Sequence, residues 1–408
     1  MKTILILLIG LFSNHVYAQG HCDVKDPNSL LKRIKETHPS VLEAKLQSQA
    51  IQRLTDVSKQ RPNPNLNAEA LFGNPNSQFS ADTFFSLQHT IEVGGKRSAR
   101  MKTAEAQIEG GQLQQRSTQE KVMVNTVVQI YKLKQIEEIS KMYQEAKQTF
   151  QQMHKRLQGL PSRSPEQQVE MDTLELASNA YQFELIQKES EKALIQKHLA
   201  YFSGCEISPE TMVLPSQTHF PVEISSYGDI SNSIQVLDAK QGLNVAYARL
   251  EQEKSKKSPN LSIGPAVGYG RSQGSDSMLF GAALSMPLPI LNTNKGKRAY
   301  ADANVRTAEL QLKNVERETQ LDLEIWKEQY QRYYHSLHST DTQDLIEKKH
   351  ARIESLFQRG VVSTALVIEA HRQLIDFSQA RLSFELAAVE ALWNIYRLTG
   401  NLDKGALQ

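Results

Sequence analysis

Hydrophobic and polar positions change period several times along this chain, and each change predicts an element. Leu66, Ala68, Ala70 and Phe72 alternate with polar residues, a Gly73-Asn74-Pro75-Asn76 turn follows, and Phe85, Leu87, His89 and Ile91 alternate again, which predicts a β-hairpin. The pattern returns as Leu261, Ile263, Val267 and Tyr269, a Gly274-Ser275-Asp276 turn, then Phe280, Ala282, Leu284 and Met286. Strands are therefore predicted at about 65–92 and 261–288. Before the first hairpin, Ser29 to Gln60 reads as one helix that stops ahead of Pro62 and Pro64, because proline lacks a donor and disfavours a helical residue before it. After each hairpin comes a long proline-free helical stretch, Arg97 to Leu157 and Arg298 to Gln358. At 1.5 Å per residue each would form a rod of about 90 Å. Each rod ends near a glycine, Gly159 or Gly360, and a second helix returns to Gly204 or Gly400, where glycine suits a C-cap. Val305, Ala308, Leu312 and Val315 step by three and four, while Ile368, Ile375, Leu382, Val389 and Tyr396 recur every seven. Seams of that kind want helical neighbours, as in a coiled coil.

The two hairpins belong to an internal repeat that spans nearly the whole chain. Val41-Leu42-Glu43-Ala44-Lys45 recurs as Val236-Leu237-Asp238-Ala239-Lys240, and Pro64-Asn65-Leu66 as Pro259-Asn260-Leu261, in one register without a gap. Gly95-Lys96-Arg97 matches Gly296-Lys297-Arg298 at the strand-to-helix junctions after a short insertion in the second half. Gly159 matches Gly360, and Ser203-Gly204 matches Thr399-Gly400 once the extra residues near Pro161 to Pro165 of the first half are allowed for. The expected division is 1–18, 19–217 for the first repeat and 218–408 for the second, each with a helix, a β-hairpin and a long helical hairpin.

Residues 1–18 read as a secretory signal peptide: Lys2 precedes an apolar run from Ile4 to Phe12, and Val16-Tyr17-Ala18 supplies a cleavage site. No other segment approaches the roughly 20 apolar residues a membrane helix needs. A net charge of +2, 7% aromatic residues and a mean hydropathy of −0.47 suit an elongated helical protein and give no case for nucleic acid. There are two cysteines, Cys22 and Cys205. In an oxidising compartment they are candidates for a disulfide, and the alternative is acylation of Cys22, although His21 makes Gln19-Gly20-His21 a poor lipobox.

An exported chain with four predicted strands has edges to satisfy. Four strands cannot close a barrel, and open edges are costly in lipid, so several chains must pool strands; three chains would supply twelve. The expected fold class is mainly α with a β-barrel contribution. Three copies of the internally duplicated hairpin-plus-long-helices unit would form a trimeric twelve-strand outer-membrane β-barrel continued by a periplasmic α-helical barrel.

At this point the sequence resembles the TolC-like outer-membrane efflux factors over nearly its whole mature length. The resemblance rests on the two-fold repeat, the Pro-Asn-Leu before each first strand and the two tip glycines. Gln88-His89-Thr90-Ile91-Glu92-Val93-Gly94-Gly95-Lys96-Arg97 looks like the strand-to-helix signature of the heavy-metal, CzcC-type branch, and Met286 to Asn292 followed by Gly296 is similar to its second-repeat counterpart. The resemblance implies a homotrimer set in outer-membrane lipid and reaching into the periplasm. Its implied partners are a periplasmic adaptor, or membrane fusion protein, and an inner-membrane pump of the resistance–nodulation–division type, with no cofactor and no catalysis. It also implies adaptor docking at the helical tips through an Arg-(x)-Gly-x-x-Ser pattern. Arg359-Gly360-Val361-Val362-Ser363 matches that pattern closely, and Arg156 with Gly159 matches it loosely. Aligning on Gly360 further puts Glu369 at one position of an acidic constriction and Leu366 at a second, normally acidic one, with Asp172 and Glu175 at comparable places in the first half. Carboxylates converging on a narrow axis would repel each other and attract cations.

Other chemistry is weakly signalled. His335 and His338 sit three apart on a predicted helix without a third ligand nearby. Gly268-x-Gly270 lies within a strand, and Lys96 lacks the spacing of a phosphate loop. No nucleophile-elbow or zinc-protease pattern is present. Two other readings stay open: the same fold exporting drugs or proteins, and a non-channel periplasmic adaptor, which would ordinarily carry one helical hairpin flanked by small β domains.

Overall fold

The computed structural model describes residues 24, 26–73, 80–205, 220, 224, 226–272, 275–339, 343–359 and 361–405. The segment 1–18, Cys22 and Gly360 lie outside these. In chain order the elements are α1 (Pro27–Thr37), α2 (Pro39–Gln52), α3 (Leu54–Lys59), β1 (Asn65–Gly73), β2 (Ser80–Ile91), α4 (Lys96–Gln158), α5 (Pro165–Ser203), α6 (Ile234–Ser255), β3 (Leu261–Ser272), β4 (Ser275–Ser285), α7 (Lys295–Ser339), α8 (Gln343–Gln358) and α9 (Thr364–Leu398), closed by a 3-10 turn at Leu402–Lys404.

The single helix expected from Ser29 to Gln60 is three helices. Pro39 denies the helix a donor and pushes His38 to an extended ψ of 130°, so α1 stops at Thr37 and α2 restarts with proline in its first turn. Asp26 caps α1 by accepting from the backbone N–H groups of Asn28 and Ser29, each at 3.0 Å. A second break comes at Arg53, whose N–H is shared between Ala50 O and Ile51 O. The turn expected at Gly274-Ser275-Asp276 is also shorter than read. Ser275 and Asp276 already pair with Ser272 and Arg271, which leaves only 273–274 to connect the strands, outside the described residues. The first hairpin's turn, 74–79, lies outside them as well, as does 340–342 between α7 and α8.

The four strands form one antiparallel sheet in the order β1-β2-β3-β4, so the second strand of the first repeat pairs with the first strand of the second. The helices pack as a long bundle centred on α4, which lies against α5, α6 and α9, while α7 lies against α6 and α9. One core joins α1, the middle of α4 (Val122 to Ile136), Leu323 and Tyr330 of α7 and the last turns of α9 (Val389 to Leu398). A second core lies toward the helix tips, where Phe150, Met153, Leu174, Val367 and Ile375 meet Ile353 and Phe357 of α8. Val305, Ala308, Ile375, Leu382, Val389 and Tyr396, from the two predicted seams, are all buried. Among the described residues no helix is long and apolar enough to cross a membrane.

Candidate channel-forming surfaces

Cross-strand partners share a face, so the pairing registers sort the sheet into two sides. Leu66 pairs with Leu87, Ala68 with Phe85, Phe85 with Val267, and Val267 with Phe280. On the same side His89 pairs with Ile263, Ile263 with Leu284, and Thr83 with Tyr269, which pairs with Met278. This face is apolar and open: Leu66 is 73% exposed, Phe280 78% and Leu284 68%. The opposite face carries Asn67 with Ser86, Asn65 with Gln88, Thr90 with Ser262, and Ser262 with Ser285; the pair Asn65–Gln88 and its neighbours alternate with the apolar set, Thr90 and Ser262 being hydrogen-bonded at 3.0 Å. Along β3 the polar side is built largely from glycines, Gly264, Gly268 and Gly270. At Gly264 an added Cβ would stand 1.8 Å from Leu87 O, so β2 and β3 approach too closely there for any side chain. Leu71, Phe84 and Leu279 also lie on this second face, so the sheet sets one apolar face against a more polar, mixed one, with β1 and β4 at the edges, a contrast of the kind a transmembrane barrel segment presents to lipid and to its lumen.

The strand-to-helix junctions hold this sheet on the bundle. Gly94 and Gly95 turn the chain with φ of +78° and +72°, and a Cβ on Gly94 would meet Ser258 Cβ at 2.8 Å and Ser255 O at 2.9 Å. Arg100, one turn into α4, makes two bonds to Glu92 at 2.8 and 3.2 Å and donates to Gln60 O at 2.8 Å and Ser58 O at 3.1 Å. Arg97 donates to Lys59 O at 3.1 Å, and Lys96 donates to Asn260 Oδ1 of the second repeat. The Arg100 hydrogen bonds hold the Glu92 carboxyl below the usual range. The second junction is built differently. In the Gly95/Gly296 register Thr293 and Ala301 stand where Glu92 and Arg100 would, and Asn294, at φ 59°, donates to Glu253 O at 2.8 Å and to its carboxylate at 3.0 Å. Lys297 and Arg298 lie in the first turn of α7, and Arg298 Nε is buried without a hydrogen-bond partner. The junction signature contains Glu92 but gives it no role and stops short of Arg100; the signal for the pair is a carboxylate and a guanidinium flanking the two glycines.

At the first tip, α4 ends at Gly159, which has φ −78° and is right-handed, with nothing nearer its missing Cβ than 3.7 Å. Arg156 lies in the last turn, and Ser164 starts α5 with a capping box, its hydroxyl accepting from Gln167 N at 3.2 Å. Ser363 caps α9 with its hydroxyl alone, accepting from Leu366 N at 3.4 Å, so the serine of the docking pattern is a helix cap. Arg359 follows α8, and Val362 packs on the tip core. Leu366 is exposed. Glu369, half-buried, is gripped on its own helix by Arg372 at 2.7 and 2.9 Å and by Gln373 at 2.8 Å, which pulls its carboxyl down to about 2. Arg372 also reaches Asp376 at 2.9 Å. Asp172 accepts from Gln168 at 3.0 Å, and Glu175 is exposed on α5. Glu369 and Leu366 thus share α9, while Asp172 and Glu175 share α5. At the far end of α5, Cys205 is buried and disulfide-bonded.

No protein-family model and no curated protein matches the sequence. Among solved structures, the chain is similar to the outer membrane protein VceC of Vibrio cholerae, with 14% identity, a TM-score of 0.66, and coverage of 92% of this chain and 96% of that one. It is similar to the open state of the MtrE outer membrane channel of Neisseria gonorrhoeae, with 15% identity, a TM-score of 0.70, and coverage of 92% and 89%. It is also similar to CusC, studied for its folding and transmembrane channel formation, with 15% identity, a TM-score of 0.65 and 95% coverage of each chain. At such identities the likeness is one of fold, and the fold is the TolC-like one.

Proposed function

We propose that the chain is the outer-membrane channel subunit of a tripartite efflux system driven by a resistance–nodulation–division pump. The observation that carries this reading is the two-faced sheet: four strands, apolar on one side and more polar on the other, whose edges β1 and β4 call for strands from other copies. Three chains close twelve strands in the outer membrane, and their helices continue the lumen through the periplasm. Substrate passes through without covalent change. The fold shared with outer-membrane channels supports the same reading.

The tips built around Arg156, Gly159, Arg359, Gly360, Val362 and Ser363 receive the adaptor in this scheme. Glu369 and Leu366, with Asp172 and Glu175, face the narrow periplasmic end, and Arg372 offsets part of the charge that Glu369 brings to the axis. Residues 1–18 direct export, and Cys205 pairs with Cys22 in the oxidising periplasm, which uses the sulfur that acylation of Cys22 would require. The substrate class is heavy-metal cations, from the Gly-Gly-Lys-Arg junction.

A strain lacking this chain, compared with the complemented strain across zinc, cobalt, cadmium, nickel, copper, silver, dyes and detergents, tests the reading. Selective loss of resistance to divalent metals is the expected result. Sensitivity to dyes and detergents alone would keep the channel and reassign its substrate, and unchanged sensitivity to every compound would count against efflux.

A further inference from the structure

Close to the second tip, three side chains that the channel reading does not use converge across the hairpin. His350 and Glu354 lie one turn apart on α8, and His371 lies on α9; their ligand-capable atoms are all within 4.8 Å of one another. His350 Nε2 and His371 Nε2 are 3.0 Å apart, and Glu354 Oε1 is 3.8 Å from His350 Nε2. His371 is 2% exposed, and its Nδ1 lies 2.9 Å from Val367 O. A carbonyl oxygen only accepts, so Nδ1 carries the proton and Nε2 presents its lone pair toward His350. Thr149 of α4 donates to Glu354 Oε1 at 3.1 Å, and Phe150 meets the His371 ring edge-on at 5.3 Å. A backbone carbonyl orienting one imidazole, a hydroxyl holding the carboxylate and an aromatic wall are the outer-shell supports that a metal site uses.

We propose that His350 Nε2, His371 Nε2 and the Glu354 carboxylate bind one divalent transition-metal ion, with water in the fourth position, and that the ion staples α8 to α9. Two imidazoles and a carboxylate suit Zn²⁺, Co²⁺, Ni²⁺ or Cu²⁺ better than Mg²⁺ or Ca²⁺, which take oxygen ligands. Two Zn–N bonds of about 2.0 Å at a tetrahedral angle put their nitrogens roughly 3.3 Å apart, so the observed 3.0 Å needs only a small ring adjustment. His350 then hands its Nε2 proton to Nδ1, and the metal takes the place of the shared hydrogen. His350 and Glu354 are partly exposed and provide the way in. The proposal is independent of which substrate crosses the channel.

Equilibrium dialysis of the purified metal-free chain against zinc is the test, with the Co²⁺ ligand-field spectrum as the second readout. We expect one ion per chain at micromolar zinc, and a low-coordinate Co²⁺ spectrum. His350→Ala and Glu354→Gln should each weaken zinc at least about tenfold, since even outer-shell partners of metal ligands are worth about 10- to 100-fold. Both replaced side chains are partly exposed, and a thermal melt without metal checks that the variants are folded. His335→Ala and His338→Ala should bind as the original chain does. Equal zinc binding by the original chain and His350→Ala, or no binding by the original chain, overturns the proposal and leaves a simple histidine–histidine hydrogen bond.

Discussion

Gly94 and Gly159 sit at opposite ends of the same helix and make opposite demands. Gly94 combines φ +78° with a backbone oxygen 2.9 Å from where a Cβ would go, so Gly94→Ala should cost about 2 kcal/mol or more, read as a lower denaturant midpoint. Gly159 is right-handed with space around it, so Gly159→Ala should change stability by less than about 0.5 kcal/mol. Any loss of efflux in Gly159→Ala would then report on docking. Arg100 joins Glu92 to the ends of α3 and α4, and Arg100→Ala should cost about 2 kcal/mol by leaving a largely buried carboxylate without its partner. The pH dependence has a definite sign. Glu92 titrates lower in the folded chain than when unfolded, so its contribution is fully present above the unfolded value of about 4.3 and is lost as pH falls through the folded one. Acid unfolding followed by circular dichroism should therefore show a shallower acid limb in Arg100→Ala than in the original chain. Cys205, the junction lysine and Ser363 of the docking pattern were legible as residue types; the histidine trio was not, because His371 is distant in sequence from His350 and Glu354, and only packing of α9 on α8 unites them.

At the scale of elements, the strands and the helical rods follow from periods of two and of three to four, which need no tertiary information. The breaks within Ser29 to Gln60 were harder to read, because Pro39 is tolerated at the start of a helix as easily as it ends one, and the choice falls to how α1 and α2 pack on α4. The sheet makes a prediction of its own. Phe280→Arg would put a charge on the apolar face, at a cost of about 2–4 kcal/mol near the middle of a bilayer, whereas Gly281→Arg points to the polar face with no atom within 4 Å of the new Cβ. Folding into lipid vesicles, followed by heat-modifiable gel mobility, should fail or slow for the first variant and proceed for the second.

For the whole molecule, the exposed apolar residues of α5 recur as Val169, Leu176 and Phe183, the last two 70% and 73% exposed, on a helix whose other side meets α4. That seven-residue spacing is the seam expected between copies. Native mass spectrometry in detergent should give a trimer, and Phe183→Asp should shift it toward monomer while the helical signal persists; a stably monomeric original chain would exclude the barrel. In the proposed channel, closure is a property of the assembly, since four strands supply only part of a barrel circumference.

The amino-acid sequence by itself determined the periods, the duplication, the breakers and the capping residues, because each depends on contacts within a few residues or on self-similarity. Tertiary structure alone decided which strand lies beside which, and therefore that Leu66, Phe85, Val267 and Phe280 make one face. It also decided that Lys96 reaches Asn260 of the other repeat and that His350, Glu354 and His371 meet. Those pairings join residues far apart in the chain, whose approach is set by the packing of long helices and by strand register, and no local pattern encodes either one.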